Sequence, residues 1–468
     1  MNQAVILAGG HGKRMKADIP KPMLEVLDVP MLGWVIRACE GAEVSRICVV
    51  TGYKAEFIEC YLGGAYETAL QSERLGTGHA VMQAEKFLQA DTEGNTLVLC
   101  GDAPFMDSDT IRDALELHTA QNNAVTVITA ELADPKGYGR ILRSDENDGI
   151  AAIVEEKDAT PAQRKIREVN SGAYWFRTAD LLELLKGLTP QNAQGEYYLT
   201  DTIGLALSSG KRAGVYLTEN TDVILGANTR KDLLGLRETA RRKILDKHME
   251  NGVDFTCTEG VVIGTDVEIE AGTVILPNTI LKGKTRIRKG CKIGPSCVIE
   301  NTAVGEYCIL NAVQAYDSTI ENNVKMGPFV HIRPGSHVKS GVKIGDFVEI
   351  KNSVVGEQTS IAHLTYVGDS DVGKKVNFGC GTVTVNYDGV SKQRCEIGDN
   401  CFIGCNTNLI APVKLGKGVY TAAGSTITKD VPDYALAVER GTLKVREGYS
   451  LRKLKNKLFS GDKEKDSK

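Results

Sequence analysis

Aliphatic side chains recur every six residues through much of the C-terminal half: Ile263, Ile269, Ile275, Leu281, Ile287, Ile293 and Ile299, then Ile320, Met326, Ile332, Val338, Ile344 and Ile350. A helix repeats every 3.6 residues and a strand every two, so neither alone gives a period of six. Glycine often follows the aliphatic position, as in Ile293-Gly294, Ile344-Gly345, Ile397-Gly398 and Leu415-Gly416. Three hexapeptides make one triangular coil with aliphatic side chains inside and small residues at the corners, which predicts a left-handed parallel β-helix over 251–450. A β-sandwich would show period-two alternation and irregular turns instead.

Upstream the pattern differs. Short apolar runs at 4–8, 46–52 and 96–102 alternate with stretches of helical spacing such as 31–42. This predicts a mostly parallel, Rossmann-like α/β domain over 1–228, with ligands beyond the carboxyl ends of its strands. Residues 229–250 carry Leu, Ile and charges at helical spacing without proline, which predicts a linker helix. Residues 451–468 read as a charged tail, disordered from Asp462 to Lys468, where only charge and serine remain.

At 468 residues the chain exceeds one ordinary core. Lys and Arg number 56 against 60 Asp and Glu, so no nucleic-acid partner is expected. No apolar run approaches the ~18 residues of a membrane span. The opening MNQAVILAGG enters a strand without the basic flank and cleavage site of a signal peptide, so a cytoplasmic protein is expected. The 12 cysteines include no Cys-x-x-Cys pair. Cys39, Cys48, Cys60 and Cys100 lie in apolar stretches and are expected as reduced core residues, with no disulfides.

The first strand runs into Leu7-Ala8-Gly9-Gly10-His11-Gly12-Lys13-Arg14-Met15, with Lys21 following. A glycine-rich loop after a strand brings backbone N–H groups close to phosphate, and Arg14 and Lys21 supply opposing charge. The spacing fits neither a P-loop nor a dinucleotide fingerprint. Leu7 to Lys21 resembles the signature of the sugar nucleotidyltransferases, and further segments resemble the bacterial N-acetylglucosamine-1-phosphate uridyltransferases. By that resemblance Gln71, Gly76 and Thr77 meet the uracil, Gly139, Glu155 and Asn170 line the sugar pocket, and Asp102 and Asn228 hold Mg2+. The reaction would use UTP. Cys100 stands where relatives often carry a larger residue such as tyrosine.

In the coil, large polar side chains interrupt the repeat at Arg333, Lys351, His363, Tyr366, Asn377, Asn386 and Tyr387. These segments resemble, in the same order, the acetyltransferase half of the bifunctional uridyltransferase and glucosamine-1-phosphate acetyltransferase family. The resemblance implies that Arg333 and Lys351 hold the sugar phosphate of glucosamine 1-phosphate, and that Tyr366, Asn377 and Asn386 position the sugar. His363 is then the base for amine attack on the thioester, its ring oriented by Asn386 or Glu349. Cys380, Asn386, Tyr387, Cys405, Ala423 and Arg440 would face acetyl-CoA. Cys380 stands where relatives usually have alanine, and Cys405 where they have serine. The family also implies a homotrimer with acetyltransferase sites between subunits. A scaffold with dead sites would have no reason to retain Lys21, Asp102 and Asn228 together with His363.

Overall fold

The computed structural model of the chain describes residues 1–44, 46–144, 149–192 and 194–460, so the expected disordered tail lies outside the described residues. Contacts divide the chain into two compact units between residues 247 and 248, with Ile263–Thr265 grouped with the first.

The first unit is built on nine strands: β1 (Asn2–Leu7), β2 (Arg46–Thr51), β3 (Glu67–Leu70), β4 (Asn95–Cys100), β5 (Val125–Glu131), β6 (Arg140–Arg143), β7 (Ile150–Val154), β8 (Glu168–Arg177) and β9 (Ala213–Thr218). Their order is β9-β5-β8-β4-β1-β2-β3, with β6 pairing β8 and β7. Strands β1 to β4 run parallel, and β8 lies antiparallel between β4 and β5. Helices cover both faces, which is why β1 reads as a continuous apolar run with Ala4, Val5 and Ile6 fully buried. Leu7 pairs with Val50 on one side and Cys100 on the other. The ends of β1, β2, β3 and β4 therefore form one rim that presents Ala8-Gly9-Gly10, Gln71 and Asp102.

Cys60 departs from its expected burial. On helix Ala55–Leu62 the inward positions are Ile58 and Leu62, four apart, and Cys60 falls between them on the exposed side.

His118, on helix Ser108–Ala120, is buried with Nδ1 2.9 Å from Thr126 Oγ1. Burial, aided by Arg177, pulls its pKa from 6.5 down to about 4. The unfolded chain then binds the extra proton between those values. The stabilisation from keeping this ring neutral is full above pH 6.5 and is lost as pH falls through that window, by roughly 3 kcal/mol. Urea unfolding of the wild type and His118→Gln should show the wild type losing that much more stability than the variant between pH 6.5 and 4.

The second unit is the expected left-handed β-helix. Its strands, mostly two or three residues long, form three parallel sheets of 11, 10 and 9 strands. The period-six residues pair turn on turn, as in Ile332 with Ile350 and Ile350 with Val367. Every one of those thirteen aliphatic side chains is buried. The segment expected as a charged tail opens differently: Tyr449–Ser460 is an α-helix, with Leu451 and Leu454 exposed. Its apolar residues Leu451, Leu454 and Leu458 recur at helical spacing between basic ones, a pattern that overall charge obscures.

Candidate active sites

In the first unit the rim of strand ends opens into a cavity of about 290 Å³ lined by Gly9, Gly10, Lys21, Gln71, Thr77 and Asp102. A second cavity of about 630 Å³ adjoins it at Lys21, Cys100 and Asp102 and reaches Tyr138 and Asn228. Gly9 packs so closely that a Cβ there would come within 2.8 Å of Gln71 Oε1. Gln71 is buried, and its Nε2 donates to the Gly76 carbonyl at 3.1 Å and lies 3.2 Å from His79 Nδ1. Gly76 adopts φ +109°, and a side chain there would strike the Tyr197 backbone. Thr77 Oγ1 accepts from the Leu199 N–H at 3.0 Å.

Between the cavities, the Lys21 ammonium pairs with Asp102 and donates to Asn228 Oδ1 at 3.1 Å. Arg14 donates to the same amide oxygen at 3.2 Å. Asn228 is fixed by the start of helix Arg230–Glu250: Asp232 Oδ2 accepts from the N–H groups of Asn228 and Thr229, and the Asp232 N–H donates to Thr229 Oγ1. This is a reciprocal capping box. Asp102 and Asn228 thus present two hard oxygens to one cation, Lys21. Among the described residues no group of three or more His, Cys, Asp or Glu is placed to hold a metal. A single carboxylate plus an amide suits an ion such as magnesium that takes its other ligands from phosphate and water. Cys100 sits at this junction, where burial and then Asp102 push its thiol up to about 12.

Gly139, Glu155 and Asn170 meet. Both Glu155 carboxyl oxygens lie 3.6 Å from where a Gly139 Cβ would sit, and the Asn170 N–H donates to the Gly139 carbonyl at 2.9 Å. Burial, with repulsion from Asp158 and Asp201, raises the Glu155 carboxyl above its ordinary range. β8 changes register between Asn170 and Ala173, a bulge that re-aims Asn170. Beneath the trio lies Arg140, 1% exposed, donating to Glu156 at 2.6 Å and to the Tyr138 carbonyl. Glu156 also accepts from the Gly137 N–H at 3.2 Å.

In the coil, Ile361 pairs with Phe378, Phe378 with Ile403 and Ile403 with Thr421. Two residues further on, His363, Cys380, Cys405 and Ala423 occupy the same corner of four successive turns. Each precedes a left-handed residue: Leu364, Gly381, Asn406 and Gly424. Arg440 Nε donates to the Ala423 carbonyl at 3.1 Å and so joins the upper end of this column. His363 is exposed, and among the described residues no hydrogen bond reaches its ring from Asn386 or Glu349, contrary to expectation. Those two side chains are committed elsewhere.

Their partners form a second cluster around Asp369, which is 4% exposed. It accepts from Lys351 at 2.9 Å, from Asn352 at 2.6 Å and from Asn386. Burial would raise the Asp369 carboxyl, but the Asn352, Lys351 and Asn386 bonds outweigh it and hold it below its ordinary range. Tyr366 lies 3.4 Å from the Asn386 amide, and Arg333 donates to Glu349 at 2.9 Å. Asn377 sits outside this cluster, exposed on a strand between Ser360 and Phe402. Tyr387 is also apart, its hydroxyl donating to Gly389 within its own loop at 2.7 Å.

Comparison with known proteins bears on both units. A nucleotidyl transferase family model matches residues 3–223, a bacterial transferase hexapeptide model 394–429, and a model for the hexapeptide repeat of succinyl-transferase 252–277. The chain is 48% identical over 452 residues to the bifunctional protein GlmU of Caldanaerobacter subterraneus subsp. tengcongensis, covering 97% of this chain and 98% of that relative. It is 46% identical over 450 residues to the bifunctional protein GlmU of Acetivibrio thermocellus, covering 96% and 97%. The chain belongs to the bifunctional GlmU family.

In this member of the GlmU family, several residues at the two sites carried no expectation from sequence. Asp369 holds Lys351 and Asn386, and Asp232 holds the Asn228 backbone; Asn352 braces Asp369, and Arg140 and Glu156 pair with each other next to the sugar-pocket segments. His79 also lies against the Gln71 amide. The available signal was adjacency: Arg140 and Glu156 each neighbour an expected sugar-pocket residue.

Proposed function

We propose that the coil site transfers acetyl from acetyl-CoA to the amine of glucosamine 1-phosphate. The cleft then transfers uridylyl from UTP to the resulting N-acetylglucosamine 1-phosphate. The observation that carries this reading is that one chain, matched along nearly its whole length by bifunctional relatives, holds two separate polar constellations, one on each fold.

In acetyl transfer the amine nitrogen bonds to the thioester carbonyl carbon, the C–S bond breaks and the coenzyme leaves as thiolate. His363, exposed and uncommitted, takes the amine proton. Arg333 and Lys351 each have N–H donors beyond those given to Glu349 and Asp369, and turn them to the sugar phosphate. The corner column from His363 to Ala423 and Arg440 carries the coenzyme arm, with Arg440 at its phosphate end.

In uridylyl transfer a sugar-phosphate oxygen attacks the α-phosphorus and pyrophosphate leaves. Both reactants are anions, and Arg14 and Lys21 offset their repulsion. Gly9 and Gly10 let the backbone approach the triphosphate, Gln71 and Thr77 read the uracil, and Gly139, Glu155 and Asn170 hold the sugar. Magnesium, when bound, would be held by Asp102 and Asn228 and would neutralise phosphate charge. Asp102→Ala should lower uridylyl transfer by roughly 100-fold or more. Acetyl transfer, assayed as free thiol, should be unchanged.

Arg140 and Glu156 act as a positioning pair for the sugar pocket. Arg140→Lys keeps a buried cation but loses the fork that joins Tyr138 to Glu156. It should raise KM for N-acetylglucosamine 1-phosphate and leave KM for UTP unchanged, measured by pyrophosphate release. A purely structural role would move both or neither.

The protein is proposed to act in the cytoplasm as a homotrimer. Phe329 and Phe347 stack at 5.2 Å on the coil surface and are 61% and 59% exposed, an apolar edge suited to a neighbouring copy. No described helix is long and apolar enough to cross a membrane. The whole reading is tested by supplying glucosamine 1-phosphate, acetyl-CoA, UTP and magnesium. Thiol and pyrophosphate should both appear, pyrophosphate only when acetyl-CoA is present; thiol release without any pyrophosphate, or the converse with supplied N-acetylglucosamine 1-phosphate, contradicts it.

A further inference from the structure

Two of the four residues in the corner column are cysteines on consecutive turns. Asn406 N–H donates to the Cys380 carbonyl at 2.7 Å and Gly424 N–H to the Cys405 carbonyl at 2.8 Å, which fixes the stacking of the corners. Adjacent parallel strands lie about 4.8 Å apart. That separation falls within the range of Cα distances, about 4.4–6.8 Å, that a disulfide spans. Cys405 is exposed and Cys380 half-buried, whereas Cys291, Cys297, Cys308, Cys395 and Cys401 are sealed in the coil. Neither corner thiol has a hydrogen-bond partner among the described residues, so both are available for chemistry.

We propose that Cys380 and Cys405 form a redox-sensitive thiol pair, oxidised by the disulfide of coenzyme A, whose closure silences acetyl transfer. This rests on reading the corner column as the acetyl-CoA edge. The thioester carbonyl must reach the amine that His363 deprotonates, so the coenzyme sulfur lies at the His363 end of the column, and Cys380 is the next corner. When coenzyme disulfide occupies the edge, the Cys380 thiolate attacks its nearer sulfur. A Cys380–coenzyme S–S bond forms, the coenzyme S–S bond breaks, and one coenzyme thiolate leaves and takes up a proton. The Cys405 thiolate then attacks the Cys380 sulfur and expels the second coenzyme, again as thiol. Two cysteine thiols are oxidised to one disulfide, and one coenzyme disulfide is reduced to two thiols. The crosslink lies across the path of the coenzyme arm. The enzyme thereby responds to the oxidation state of its own co-substrate pool.

The test uses the full-length protein incubated with coenzyme A disulfide and analysed by peptide mass spectrometry and both assays. A Cys380–Cys405 crosslinked peptide is expected. Acetyl transfer should fall in proportion to the crosslinked fraction, recover with dithiothreitol, and leave uridylyl transfer unaffected. In Cys405→Ser the reaction should stop one step earlier, with one coenzyme A per chain held on Cys380. Iodoacetamide labelling with and without acetyl-CoA separates the layers. If acetyl-CoA shields both thiols yet coenzyme disulfide leaves them unmodified, the thiol pair is refuted while the coenzyme edge stands. If acetyl-CoA shields neither, the edge itself is misassigned and the proposal falls with it. Equally fast oxidation by glutathione disulfide would overturn the coenzyme as the oxidant recognised.

Discussion

Replacing His363 with alanine is expected to lower acetyl transfer by about 10²–10⁴-fold, the range lost when a positioned proton acceptor is removed. The ring is exposed and engaged by no other described side chain, so the substitution removes a base without opening a cavity. Surface changes of this kind usually shift stability by less than about 0.5 kcal/mol. The thermal transition and uridylyl transfer should therefore match wild type. Residual acetyl transfer should climb with pH, because the substrate amine must then shed its proton unaided. Loss of both activities in a folded protein would remove His363 from the role of base.

Asp369→Ala should act on the same reaction by a different route. Asp369 and Lys351 have side chains 6% and 15% exposed, and the carboxylate also anchors Asn352 and Asn386. Deleting it leaves an ammonium with little access to water and no counter-charge, which typically costs about 3–5 kcal/mol. In a solenoid each turn contacts only its neighbours, so the damage should stay near residues 351–386. Lys351 and Asn386 lose their anchor together. KM for glucosamine 1-phosphate should rise by a larger factor than KM for acetyl-CoA, because the corner column does not pass through Asp369. Hydrogen exchange should quicken on those turns and not in the first unit. Asp369→Asn, which keeps the acceptor for Asn386 but not the charge for Lys351, should fall between the two.

What sequence made legible follows from how each feature is encoded. The coil was readable because burial repeats with the backbone: Ile332, Ile350 and Val367 point inward for the same geometric reason. The glycine-rich loop was readable because Gly9, Gly10 and Lys21 lie close along the chain. Asp369 was not, since its partners Asn352 and Asn386 lie 17 residues away on either side and meet it only once the turns stack. The corner column was harder still. The loop Tyr387–Arg394, closed by a Tyr387–Lys392 bridge, lengthens one turn so that contacts across it span 25 residues instead of 17. No fixed period then links Cys380 to Cys405. The helix after residue 448 was hidden by its charge, and the orientation expected for the His363 ring failed because Asn386 and Glu349 had nearer partners.

The corner column also makes the coil a ruler. From His363 to Ala423 it climbs three steps of about 4.8 Å, so the two ends of the column are held about 14 Å apart. That length comes in whole turns. A chain gaining or losing one complete turn between those residues would keep its fold and its strand pairing, yet would gauge a distance longer or shorter by one step. Loops such as Tyr387–Arg394 lengthen the path of the chain without adding a step. Sequence length between the two ends is thus free to drift while the distance they gauge is not.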